Sequence, residues 1–288
     1  MRLGGYALVL VGLFSAAYAV GERLPGHAHA TDESAADAHP ADAHPSDANP
    51  SDANPSDPGG APAAMAADAE QLALSSSNLG YRLVIDEHTP TSLQFHIDRG
   101  GTAVTDFVEQ HEALLHILVI RRDLTGYQHV HPAMAPDGTW TAEVDLAQPG
   151  AWRVVADSNP ARPDAVADGT VALGVDVLVP GDMQPEPLPV PNDMVTVEGG
   201  VTVMRDGFDF TIEPAGDLAP YLGQPAHLVA FREGDLAYVH LHPQNDVLGD
   251  LQFTNDLPGP GTYRLFLQFI HADEVMTVPF TVIQESAP

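Results

Sequence analysis

The sequence contains no cysteine, and no lysine either. Without thiols there can be no disulfide framework, thiolate metal site or cysteine nucleophile, so any metal ion must be held by histidine, carboxylate or methionine. Positive charge is scarce: the 11 basic residues, all arginine, face 40 acidic ones, for a formal charge of -29. So acidic a chain is repelled by DNA, RNA and anionic lipid surfaces, which sets nucleic-acid binding aside. Beyond the N-terminus no long 3.6-residue apolar pattern occurs, and there is no Gly-x-Ser-x-Gly elbow, phosphate loop or dinucleotide fingerprint. His111-Glu112-Ala113-Leu114-Leu115-His116 approaches the H-E-x-x-H zinc-peptidase motif, but its second histidine comes one position late in a segment that reads as strand. The expectation is a binding protein with no catalytic residues.

What is present divides into regions. Residues 1–21 carry Arg2 and an uncharged apolar run from Leu3 to Val20, the mark of an export signal. Ala17-Tyr18-Ala19 offers a cleavage site, while the run, about 27 Å as a helix, is borderline for an uncleaved membrane anchor. Either outcome places the rest outside the cytoplasm, membrane-anchored or secreted. Residues 22–74 are rich in Asp, Ala, His and Pro, with a five-residue repeat at Asp37, Asp42, Asp47 and Asp52. Such a segment cannot build a core and reads as a disordered stalk. Repeat slippage accounts for its His27, His29, His39 and His44 better than a metal role does.

The remainder shows short alternating runs with turn signals, as in Tyr81–Asp86, Leu93–Asp98, Leu115–Arg121, Phe208–Ile212 and Tyr263–Phe269. These predict an all-β architecture: two tandem immunoglobulin- or cupredoxin-like β-sandwich domains, 75–182 and 194–285, joined by a Pro-rich linker at 183–193. The halves align without gaps over a long stretch, with a one-residue slip at Asp123-Leu124 against Asp235-Leu236. His116 and His129 are spaced like His227 and His240; Arg121 answers Arg232, Tyr127 answers Tyr238, His131-Pro132 answers His242-Pro243, and Trp152-Arg153 answers Tyr263-Arg264. So many matches in register indicate an internal duplication.

The shared signature is H-x12-H-x-H-P. On a strand, residues two apart share a face, so His129 and His131 project together, as do His240 and His242. With His116 or His227 from a neighbouring strand, each set could hold one ion, and imidazole ligands suit copper or zinc. The candidate metal ligands are therefore His116, His129, His131, His227, His240, His242 and, as a fourth imidazole in the second domain, His271. Met134 and Met276 are further candidates. The competing reading is structural: His116 alternates with Leu118 and Ile120 as a buried residue would, and His-x-His-Pro could form a strand corner. Glu109, His111 and Glu112 read as a solvated loop face rather than as support for a site.

The stretches His116-Ile-Leu-Val-Ile-Arg-Arg-Asp-Leu, His129-Val-His-Pro and His227-Leu-Val-Ala-Phe-Arg through His240-Leu-His-Pro resemble a group of actinobacterial membrane-anchored or secreted proteins described as heavy-metal-binding or copper-associated. The resemblance implies an envelope protein with paired immunoglobulin-like domains. Two other functions remain open from sequence: a cell-envelope structural module with a protein partner, and a factor that delivers copper.

Overall fold

A computed structural model describes residues 72–161, 170–197 and 199–286, all within one unit of the chain. The apolar N-terminus and nearly all of the stalk lie outside the described residues. Those described contain strands and turns and no helix.

Each half is a β-sandwich. In the first, one sheet runs Ser77–Asn78, Tyr81–Thr89, Ser92–Arg99, Trp140–Glu143 and Ala133–Met134 in spatial order. The facing sheet runs Val171–Val179, Gly150–Pro160, Leu115–Arg121 and Gln128–Val130. Leu93, Phe95 and Ile97, two apart on one strand, point inward and meet Ile117, Val119 and Val154 from the opposite sheet, with Trp140 and Trp152 in the same core. The second half repeats the plan. Met194–Thr196, Thr202–Asp206, Asp209–Glu213 and Asp250–Gln252 form one sheet, and Leu218–Ala219, Gly261–His271, His227–Arg232 and Tyr238–Leu241 the other, with Glu274–Gln284 also paired to Gly261–His271. Phe210, Tyr263 and Phe280 fill its core.

The run Leu115–Arg121 is buried at every position. A strand covered on one face alternates apolar and polar side chains, whereas this one is covered on both. Leu115, Ile117 and Val119 face the core of their own sandwich. Leu118 and Ile120, on the other face, belong to a third apolar cluster that also holds Val155 and, from the second half, Val229, Phe231, Tyr238 and Phe266. The two sandwiches therefore pack sheet against sheet through equivalent surfaces. Tyr127 stacks on Phe266 with ring centroids 4.0 Å apart and planes 7° from parallel, and Arg122 donates to the carbonyl of Gly234.

Residues at both margins are built into this junction. Ala73 is buried in the third cluster and its carbonyl accepts from Arg153, while the carbonyl of Leu72 accepts from the amide of Tyr238. The expected stalk ends where these two residues dock. In the linker, Leu188 packs on the same cluster and the amide of Glu186 donates to Asp123.

Candidate metal centre

His116 and His227 sit at the same end of equivalent strands and on the faces turned toward the other sandwich; they are 3 % and 0 % exposed. A tight turn precedes each. Gln110 and Ala113 exchange backbone hydrogen bonds of 2.8 and 3.0 Å around His111 and Glu112, whose φ angles are 50° and 61°. Tyr221 and Gln224 do the same around Leu222 and Gly223, at φ 51° and 71°. Two consecutive positive φ angles define the hairpin turn that matches strand twist, although three of these four residues are not glycine. Each turn presents one carbonyl to the histidine behind it. His116 Nε2 donates to Gln110 O at 3.1 Å, and His227 Nε2 donates to Tyr221 O at 3.0 Å. These bonds assign the proton to Nε2 and leave each Nδ1 with a free lone pair.

The paired histidines arrive on the adjacent strand. Val130 packs against the core of its own sandwich, so His129 and His131 turn to the opposite face. His129 Nδ1 donates to Gln268 Oε1 at 2.8 Å, and the Gln268 amide is oriented by its own donation to Thr277 Oγ1 at 3.0 Å. That leaves His129 Nε2 as an acceptor, 3.0 Å from His116 Nδ1, which lies 3.1 Å from His131 Nε2. In the second half His240 Nε2 lies 3.0 Å from His227 Nδ1. Behind it, His240 Nδ1 faces the Asp157 carboxylate at 3.5 Å. His242 Nε2 is buried with no hydrogen-bond partner among the described residues.

In the first triad the lone pairs of His116 Nδ1 and His129 Nε2 thus face each other across 3.0 Å, while His131 and His240 can each carry a proton on Nε2. Such opposition is relieved by a cation in the middle or by a proton on His131 Nε2. Three imidazoles bound to one ion at 2.0–2.1 Å have their nitrogens roughly 3.3–3.5 Å apart, a few tenths of an ångström more than the close pairs His116–His129, His116–His131 and His227–His240. In each triad one ligand nitrogen per residue lies within 4.8 Å of the others. Both triads could therefore hold a metal ion.

The triads also adjoin. His116 and His129 approach His240 with ring centroids 5.7 and 5.8 Å apart. His111 reaches over from the first half and stacks on His242 at 3.9 Å, edge-on to His227 at 5.5 Å. Seven imidazoles form one continuous cluster. Burial lowers the basicity of all seven, and proximity to other imidazoles adds to this for His116, His129, His227, His240 and His242. His242 is brought down to about 4. Burial pushes the Asp157 carboxyl up, against the opposing effect of the Tyr238 hydroxyl and nearby histidines. Neutral imidazole is the form that binds metal.

Six of the seven histidines expected as ligands come together in the two triads. His271 does not join either group among the described residues; it pairs with Leu218 and Glu274 at the end of its long strand. Met134 and Met276, both half-buried, pack against the two apolar cores. His111, expected on a solvated loop, is instead part of the cluster, because the tight turn at Gln110–Ala113 folds it over the junction. Asp157 and Gln268 escape a reading based on histidine spacing. Their signal is a polar residue at the same place in two strands that are otherwise apolar, Val154–Asp157 and Leu265–Gln268, since a polar group is buried only with a partner.

Fold and site together define a tandem β-sandwich protein whose halves meet on a shared histidine cluster. The two halves are copies of one domain. The chain belongs to the family described as Domain of unknown function (DUF8832), which matches it twice, over residues 78–174 and 193–286. No curated protein matches the chain. Among solved structures it is similar to the crystal structure of chicken CNTN1 FN1-FN3 domains, at 9 % identity and a TM-score of 0.19 over 71 % of this chain. The chain spans 66 % of that chain's length, just short of two thirds.

Proposed function

We propose that this is an exported binding protein, anchored or secreted, that holds copper or zinc ions at His116, His129 and His131 and at His227, His240 and His242. The carrying observation is the convergence of three imidazole nitrogens in each triad, all within 4.8 Å of one another, while the opposite ring nitrogens of His116, His129 and His227 are committed to hydrogen bonds. Metal-bound histidines are held in this way, with the distal N–H donated to a carbonyl or carboxylate. A purely structural role would instead have His131 Nε2–H donate to His116 Nδ1 and His240 Nε2–H donate to His227 Nδ1. The donor set contains no thiolate and suits copper(II) or zinc, while three imidazoles alone also accept copper(I).

Export rests on the apolar N-terminal run and its Ala-x-Ala site. The sandwich is read as immunoglobulin- or cupredoxin-like. Delivery of copper to a partner draws support from the exposed position of His131 at one side of its triad, but the thioether that would favour copper(I) transfer is packed in the core. The test is direct. The chain, purified from metal-free medium, is titrated with Cu(I), Cu(II) and Zn(II) beside a variant carrying His129→Ala, His131→Ala, His240→Ala and His242→Ala. Uptake by the parent that the variant lacks supports the reading; equal uptake by both sinks it.

A further inference from the structure

The two triads are not equivalent, and what separates them comes from the opposite domain. Asp157 pairs across the sheet with His116, and Gln268 pairs with His227, so they occupy the same position in the two copies. Each crosses the junction to the other copy. Gln268 supplies a neutral amide oxygen to His129, at 2.8 Å. Asp157 supplies a carboxylate to His240, and both side chains are less than 10 % exposed. Asp157 Oδ2 accepts from the Tyr238 hydroxyl at 2.8 Å, while Oδ1 is buried with no hydrogen-bond partner among the described residues. A second difference reinforces the first. His111 covers His242, whereas the corresponding turn position in the second copy is Leu222, and His131 is exposed.

Resting on the reading that the triads bind metal, we infer that the second triad is the preferred site for a divalent cation, because a buried carboxyl group, Asp157 of the first domain, lies behind His240 and can ionise opposite a dication, and that it fills before the first triad. A buried carboxylate behind a ligating imidazole makes that ring a better donor and offsets part of the charge of a dication in a low-dielectric site. The amide of Gln268 orients His129 through a 2.8 Å hydrogen bond but brings no charge. The first triad therefore discriminates less between a monovalent and a divalent ion. Asp157 acts through His240 and is a positioning residue, not a ligand.

The experiment uses the full chain in two backgrounds. His116→Ala with His131→Ala leaves only the second triad intact, and His227→Ala with His242→Ala leaves only the first. Zn(II) affinity is measured by chelator competition, with Ag(I) as the monovalent probe. The second triad is expected to bind Zn(II) about 10–100-fold more tightly than the first, the span typical of such outer partners, with a smaller ratio for Ag(I). Asp157→Asn should remove most of the Zn(II) advantage. Gln268→Glu should raise Zn(II) affinity in the background retaining the first triad, a gain that misfolding cannot imitate. An unchanged ratio in Asp157→Asn, or tighter Zn(II) binding by the first triad, overturns the inference while leaving metal binding intact. Failure of the parent protein to bind either ion overturns both.

Discussion

Tyr238 donates its hydroxyl to Asp157 at 2.8 Å across the domain junction, and Tyr127 returns the arrangement by donating to Gln268 at 3.1 Å. The interface has the reciprocity of a twofold dimer, residue i of one copy touching j of the other and the reverse, within a single chain. Each tyrosine lies two residues before the histidine served by the same acceptor, so the junction and the candidate site share their hydrogen bonds.

Tyr238→Phe should be more damaging than Tyr127→Phe. Removing the Tyr238 hydroxyl leaves the buried Asp157 with only the more distant His240 nitrogen, a loss of about 2–3 kcal/mol. Gln268 retains His129 and Thr277 after Tyr127→Phe, so about 0.5–1.5 kcal/mol is expected. Urea denaturation of both variants checks the order; equal losses would contradict it.

Metal-free protein should lose stability in mild acid. The seven clustered histidines have folded pKa values below the ordinary 6.5. Between 6.5 and those lower values the unfolded chain binds more protons than the native one, so stability falls as pH drops through this window, down to about 4 for His242. Each histidine contributes a slope of up to about 1.4 kcal/mol per pH unit. The raised carboxyl of Asp157 works in the opposite direction, gaining native protons on acidification. Melting temperatures between pH 7.5 and 4.5 should fall, and less steeply after His240→Gln if that variant folds. A flat profile would refute a neutral buried cluster.

Zinc should raise the melting temperature. An ion that binds only the native state adds about 2.7 kcal/mol at a concentration one hundred times its Kd. The increment should shrink in His227→Ala and nearly vanish when His116→Ala is added, as read by calorimetry with and without chelator.

The two arginine corners should respond differently to the same change. Arg121 and Asp123 are 4 % and 6 % exposed and joined by bonds of 2.9 and 2.7 Å. Burial alone would raise the Asp123 carboxyl, but hydrogen bonds from Arg121, Glu186 and Thr125 hold it down to about 2. Arg232 and Asp235 repeat the motif at 21 % and 42 % exposure. Asp123→Ala should cost about 2–4 kcal/mol because it strands a buried guanidinium, and Asp235→Ala at most about 1 kcal/mol. Comparable denaturation midpoints would show that burial does not set the difference.

Much of this was legible in the residues alone. Alternation at Leu93, Phe95 and Ile97 announces a half-buried strand, and the registered repeat from His116 to Arg153 announces two copies of one domain, because covalent order and side-chain period are local properties. The grouping of His129 with His131 followed from the two-residue period of a strand. Local pattern could not say which way Leu115–Arg121 buries its second face. Only the packing of sandwich on sandwich turned His116 and His227 toward the junction, brought His111 over His242, and set Asp157 behind a histidine 83 positions away in the chain, from 157 to 240. Spacing along the sequence determined two sets of candidate ligands. The shared interface made them neighbours and, among the described residues, set a buried carboxyl group behind only one of them, because contact across a junction depends on two folded surfaces and not on either strand alone.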